Sequence, residues 1–346
     1  MIHLRISPFE WLSLIAQGHA AFQLLYQATE FGLFERLHRE GPLSPEEVSK
    51  SLQLAESPTR ILLTGLTVLK FLKRMPTGKY QLTEVSRRFL IQSSPENLID
   101  VLGWQRFIVY PGIEDAGTSL RENRNQGLEG LPGDGNTLYE KLSTVPKLQA
   151  TFQKAMSSLS RANHAELMEN LPAGTHRRLV DCGGGDATNV IALCERNPRL
   201  NAVVFDQPDV CEIAKLKIEA HGIGNRVTTY PGELFSTPFP ADVDAVLMSH
   251  LLTIWSPEKN VELLGRAFSA LPSKGKIYLF NMAVDNDESG PFSSALGSLY
   301  FQCVATGQGR LYRREEFQSF LKMAGFVDIE ERALRNAHYF WSATKP

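Results

Sequence analysis

"LVDCGGGDAT", residues 179–188, decides the fold. A short apolar run ends in an acid, a cysteine and three glycines, and a helix-compatible segment begins near Thr188. Glycines are needed at such a place because the backbone must turn sharply and come close to a ligand, so Gly183 and Gly185 are read as the turn between a buried strand and its helix. The turn departs from the dinucleotide fingerprint G-x-G-x-x-G, which would need glycine where Ala187 stands.

Working outward, "RRLVDCGGG", "NAVVFDQPD", "RVTTYPGEL", "DAVLMSH" and "KGKIYLFNMAV" are five short β-branched runs separated by helical segments. Several are apolar throughout, as strands buried on both faces are. This alternation predicts an α/β fold with an open, doubly wound, Rossmann-like sheet. "REEFQSFLKMAGF" adds a helix, and "VDIEERAL" with "AHYFWSATK" forms a closing pair of strands. Asp206 ends the second strand about 20 residues beyond the glycines, where a carboxylate can bind both hydroxyls of a ribose. Gly232 and Glu233 fall at the end of the third strand, beside the same crevice.

Residues 8 to about 165 follow a helical grammar instead, with apolar residues three and four apart. In "PLSPEEVSKSL", Ser44 caps, Pro45 fits the first turn and Glu47 completes a capping box. "SPTRILLTGLTVLKFL" starts at another Ser-Pro, and "KRMPTGKYQLTEVSRRFL" is a short hairpin before a helix. The order is that of a winged helix. Its basic residues are scattered, which argues against a DNA-binding regulator. The alternative is a module that intertwines with a second copy through apolar N-terminal helices and closes over a pocket. The expected boundaries are a helical dimerisation domain at 1–165 and a nucleoside-binding domain at 166–346.

The 346 residues are 43% hydrophobic and 21% charged, with 36 Lys and Arg against 38 Asp and Glu, giving a net charge of -2. No strong field recruits nucleic acid or an anionic membrane. The four cysteines, Cys182, Cys194, Cys211 and Cys303, form no C-x-x-C pair, so the expectation is reduced thiols in a cytoplasmic protein without a metal site. "FEWLSLIAQGHAAF" is interrupted by Glu10, Gln17 and His19, and an uncharged run of membrane-spanning length is absent.

With "LVDCGGG", "FDQP", "PGELF", Trp255 and "REEFQSFLKMAGF" in this order, the chain resembles the S-adenosylmethionine-dependent small-molecule O-methyltransferases of the caffeic acid and hydroxyindole type, including their bacterial antibiotic and pigment branch. The resemblance implies S-adenosylmethionine as cofactor, a small aromatic acceptor and a homodimer. It places Gly183 and Gly185 at the methionine moiety, Asp206 on the ribose, and Glu233, Leu234 and Phe235 around the adenine, with Asp181 and Gly232 also among the cofactor-binding residues. Ser160 matches a serine near the cofactor carboxylate, Ser249 stands where many members have lysine, and Trp255 matches the family tryptophan.

The resemblance breaks in "VLMSHLLTIWSPE", residues 246–258. The family's general base is a histidine in H-D-W, and here Thr253 and Ile254 precede Trp255. Asn281 replaces a supporting glutamate, and a second falls at Arg310 or Leu311. Methyl transfer from a sulfonium needs little beyond in-line placement, but a phenol, with pKa near 10, gains from a base. Three outcomes follow: C-, N- or carboxyl methylation by positioning; atypical O-methylation with His250 as base, sharing a helix side with Thr253; or a divergent hydroxylase- or pericyclase-like use of the cofactor. The acceptor pocket is expected from Tyr300, Phe301, Gln302 and Cys303 together with Met156, Ser249 and Asn281, with Arg310 available to an acceptor carboxylate.

Overall fold

The computed structural model describes residues 7–346. They form two compact units, one ending at Gly103 and one running from Trp104 to Pro346.

The first unit is helical apart from a hairpin of β1 (Leu72–Arg74) and β2 (Tyr80–Leu82), which pair antiparallel. Leu43 bridges to Tyr80, extending this wing. The expected capping box is present on helix Pro45–Leu52: the Glu47 amide donates to Ser44 Oγ at 3.2 Å, and the Ser44 amide donates to Glu47 at 2.6 Å. The next helix starts earlier than its Ser-Pro signal, at Glu56, with Ala55 as cap and Pro58 in the first turn. Apolar faces of these helices and both strands meet in one core around Leu33, Phe34, Val48, Leu63, Leu66 and Leu72. Helix Pro8–Ala16 buries none of its residues and exposes Phe9, Leu12 and Ile15.

The second unit is built on β3 (Arg178–Cys182), β4 (Asn201–Asp206), β5 (Val227–Pro231), β6 (Ala245–Ser249), β7 (Lys276–Met282), β8 (Val327–Ala333) and β9 (His338–Thr344). Their order is β5-β4-β3-β6-β7-β9-β8, with β3 to β7 parallel and β9 antiparallel to both neighbours. Alternation along the strands divides the core in two. Val180, Cys182, Val203, Phe205, Val246 and Met248 face helices Pro257–Ala270 and Arg314–Met323, whereas Leu179, Ala202, Val204, Ala245 and Leu247 face Thr188–Arg196 and Pro208–Ala220.

The two compact units divide at Gly103/Trp104, ahead of the expected domain boundary near residue 165. Helices between 104 and 165 carry Ile108, Leu142 and Phe152, which share a core with Tyr300, Cys303 and Val304 of the sheet-bearing unit. Common helical grammar had grouped them with the N-terminal helices; packing assigns them otherwise.

Candidate active site

Parallel strands with a reversal of order between β3 and β6 leave a crevice beyond their carboxyl ends. A cavity of about 520 Å³ lies there, within the range of sites that enclose small ligands.

One end is the glycine turn. Gly183 and Gly185 have φ of +66° and +58°, a left-handed backbone that favours glycine. Ala187, where the fingerprint wants glycine, takes the same conformation at +68° and starts helix Thr188–Arg196. Asp206, one strand over, accepts from the Gly185 amide at 2.9 Å and the Gln207 amide at 2.8 Å. Burial pushes its carboxyl up to about 6 against these two bonds. Its remaining lone pairs are available to a pair of ribose hydroxyls. Gly232 joins this wall, its amide bonded to the Asp206 carbonyl at 2.9 Å, followed by Glu233, Leu234 and Phe235. Phe235 packs edge-to-face on Trp255 at 4.9 Å and has the Lys259 ammonium 4.4 Å from its ring centre.

Helix Pro146–Ala162 presents one stripe to the cavity, Gln149, Phe152, Gln153, Met156, Ser157 and Ser160, at helical spacing. Asp186 anchors the turn from below: Lys217 lies at 2.6 Å, the Thr188 hydroxyl donates at 2.6 Å, and Ser157 also donates. Burial opposes its charge, but these partners outweigh it and hold the carboxyl below its usual value. Glu140, Asp186, Asp206, Asp209 and Glu233 line the cavity, and among the described residues no lysine or arginine does. A side chain on Gly185 would be strained by the left-handed backbone there, and the acidic lining suits a cation. These features fit a nucleoside bearing a sulfonium.

The other end is apolar: Trp104, Phe152, Met156, Phe301, Leu311 and Tyr300, whose ring meets Trp104 edge-to-face at 4.9 Å. Thr253 is 2% exposed and also lines the cavity. Asn281 is fully buried and lines the cavity, and neither its Oδ1 nor its Nδ2 has a hydrogen-bond partner. An orphaned amide of that kind points to a ligand.

Residues 250–256 form a loop, not the helix expected to carry His250 and Thr253 on one side; helix Pro257–Ala270 begins after the Ser256 cap. His250 sits at φ +55°, and its amide donates to the Phe280 carbonyl at 2.8 Å. Its Nδ1 is 3.1 Å from Ser249 Oγ and its Nε2 is 2.8 Å from His338 Nε2. Both nitrogens are engaged, and burial together with His338 depresses the ring to about 3. His250 is therefore unsuited to take a phenol's proton by itself.

Of the residues singled out in the sequence, Met156, Ser160, Gly183, Gly185, Asp206, Gly232, Glu233, Leu234, Phe235, Ser249, His250, Thr253, Trp255, Asn281, Tyr300 and Phe301 come together on this cavity. Four do not. Asp181 is fully buried behind the turn, 3.0 Å from where a side chain on Gly184 would start, and both carboxyl oxygens lack partners. Gln302 turns back to the Gly307 carbonyl at 3.4 Å, and Cys303 is buried in the core. Arg310 is a bidentate partner of Glu316 at 2.7 and 3.2 Å and lies over the Tyr312 ring, so it is no carboxylate clamp for an acceptor. Sequence reading missed Trp104, Tyr139 and Phe152; Phe152 alone carried a signal, four residues before Met156 on one helix face.

Fold and cavity together define a transferase that pairs a nucleoside-bearing donor with an apolar acceptor. The model of the O-methyltransferase domain matches residues 115–327, and that of the O-methyltransferase dimerisation domain matches residues 13–92. This chain belongs to that O-methyltransferase family and is a methyltransferase. It is 35% identical over 317 residues, 92% of this chain and 86% of the other, to L-tyrosine C(3)-methyltransferase of Streptomyces lavendulae. It is 30% identical to 3-hydroxy-5-methyl-1-naphthoate 3-O-methyltransferase of Streptomyces sahachiroi, over 91% of this chain and 88% of the other. Among solved structures it is similar to the S-adenosylmethionine-dependent methyltransferase SibL in its apo form, with TM-score 0.83, 35% identity and coverage of 97% and 98%.

Proposed function

We propose that this chain is an S-adenosylmethionine-dependent methyltransferase that places a methyl group on a ring carbon beside the hydroxyl of a small phenolic metabolite. One observation carries the choice of atom: the acceptor end has Thr253 and Asn281 where a base and its helper are expected, and its imidazole is tied at both nitrogens. A phenol bound there stays protonated, its pKa being near 10. Its oxygen is then a poor nucleophile, while the ring carbon beside it remains electron-rich and needs chiefly to be placed.

When bound, the cofactor supplies an electrophilic methyl on a sulfonium. Asp206 would hold its ribose, Gly183, Gly185 and Ser160 its methionine end, and Glu233, Leu234, Phe235 and Trp255 its adenine. Trp104, Phe152, Met156 and Tyr300 would sandwich the acceptor ring and exclude water, and Asn281 would receive the phenol through its free amide. The Streptomyces lavendulae relative, named for transfer to a tyrosine ring carbon, supports this reading. Exposed Phe9, Leu12 and Ile15 support a homodimer through the N-terminal helices, and four free, buried cysteines suit the reducing cytoplasm.

Calorimetric titration with S-adenosylmethionine and its demethylated product tests the donor assignment. Binding to the wild type and its loss in Asp206→Ala are expected. Failure of the wild type to bind either ligand would end the proposal.

A further inference from the structure

The stretch that lacks the family's base contains a different path for a proton. Ser249, the last residue of β6, lines the cavity, and its Oγ lies 3.1 Å from His250 Nδ1. His250 Nε2 lies 2.8 Å from Nε2 of His338, the first residue of β9. His338 Nδ1 lies 2.8 Å from the carbonyl oxygen of Asn336, an exposed residue between β8 and β9. A carbonyl only accepts, which fixes every proton in turn. His338 must donate from Nδ1, so as a neutral ring it offers a bare Nε2. His250 donates to it from Nε2, which leaves Nδ1 bare to accept the Ser249 hydroxyl. All donors point one way, from the cavity to the surface. His250 is held in line by its left-handed backbone and by Phe280, whose ring it meets at 5.3 Å.

We propose that Ser249, His250 and His338 form a relay that carries the acceptor's proton out of the cavity, Ser249 touching the acceptor and the two imidazoles acting through it. The relay rests on the methyl transfer proposed above. As the ring carbon bonds to the methyl, the sulfur keeps the electron pair of the broken bond and the ring loses its aromaticity. The acceptor's hydroxyl becomes strongly acidic and gives its proton to Ser249 Oγ. Ser249 passes its own to His250 Nδ1, His250 passes the Nε2 proton to His338, and His338 releases the Nδ1 proton to water at the Asn336 turn. The dienone regains its aromatic ring after release to solvent, where water takes the ring hydrogen and returns one to oxygen.

Both imidazoles are held below the usual histidine range, first by burial. The charged groups facing them are Glu166 and its partner Arg335, beside His338. So weak a base leaves a resting phenol protonated and accepts only the proton that turns acidic as the methyl arrives.

Kinetics of Ser249→Ala, Ser249→Thr and His338→Gln, with L-tyrosine as first acceptor, test the relay. At neutral pH, Ser249→Ala and His338→Gln should lower kcat by about 10²-fold with the acceptor KM little changed, and the deficit should shrink as rising pH ionises the phenol in solution. Ser249→Thr, which keeps the hydroxyl, should retain activity. A deficit equal at every pH, one confined to KM, or none overturns the relay. Nitrogen-15 NMR of the ligand-free wild type gives a readout independent of turnover: neutral rings protonated at His338 Nδ1 and His250 Nε2 are expected, and the opposite tautomers contradict it. Absence of product from the wild type sinks the methyl-transfer reading and the relay with it; product with unaffected variants sinks the relay alone.

Discussion

At the scale of single residues, two buried polar groups make the site costly to the free protein. Burial, and then Asp206, push the Asp181 carboxyl up to about 8. The fold therefore binds a proton that the unfolded chain has already released. Its contribution to stability is full below the unfolded carboxyl's range and is lost as pH rises through about 8. Melting temperatures measured from about pH 5 to about pH 8 should fall in the wild type, with a slope of up to about 1.4 kcal/mol per pH unit from this one proton. In Asp181→Asn, most of that slope should disappear. Asn281 is the second group. Burying an amide without partners costs about 1–3 kcal/mol, so Asn281→Leu should raise the melting temperature of the ligand-free protein while weakening acceptor turnover. A lower melting temperature would mean that Asn281 is satisfied by the fold and does not await a ligand.

At the scale of elements, the loop at 250–256 is fixed by side chains that reach its carbonyls. Asn260 Nδ2 donates to Leu252 at 2.7 Å, the Tyr312 hydroxyl donates to Trp255 at 2.5 Å, and Thr306 donates to Ile254. Gly309 lies so close that an added Cβ would stand 2.1 Å from the Thr253 carbonyl oxygen. Gly309→Ala must therefore move this loop, and a fall in melting temperature with loss of acceptor turnover is expected; normal kinetics would show the loop to be loosely held. The strands, the glycine turn and Asp206 were legible in the sequence because each is a local pattern with its own chemistry. The His250–His338 contact was not, because it spans 88 residues and exists only because β9 inserts antiparallel beside β7, setting His338 opposite Met282. Arg310 misled for a related reason: its partner Glu316 lies in the first turn of the next helix, and charge alone does not reveal pairing.

At the scale of the whole molecule, the helices between residues 104 and 165 could not be assigned from periodicity, since amphipathic helices look alike whichever core receives them. The exposed apolar side of the N-terminal helix was legible: the helix is capped by Ser7 and Glu10, buries nothing and exposes Phe9, Leu12 and Ile15. Leu12→Asp should shift the protein toward monomer in light scattering coupled to size-exclusion chromatography; an unchanged dimer would place the interface elsewhere. The central claim is that this cavity, with Thr253 where the family keeps its base, delivers a methyl group to carbon. The direct measurement is incubation with S-adenosylmethionine carrying a carbon-13 methyl and L-tyrosine or a simple phenol, followed by carbon NMR of the product. A methyl bonded to the ring carbon beside the hydroxyl is predicted, and a methyl ether or an N-methyl product would contradict it.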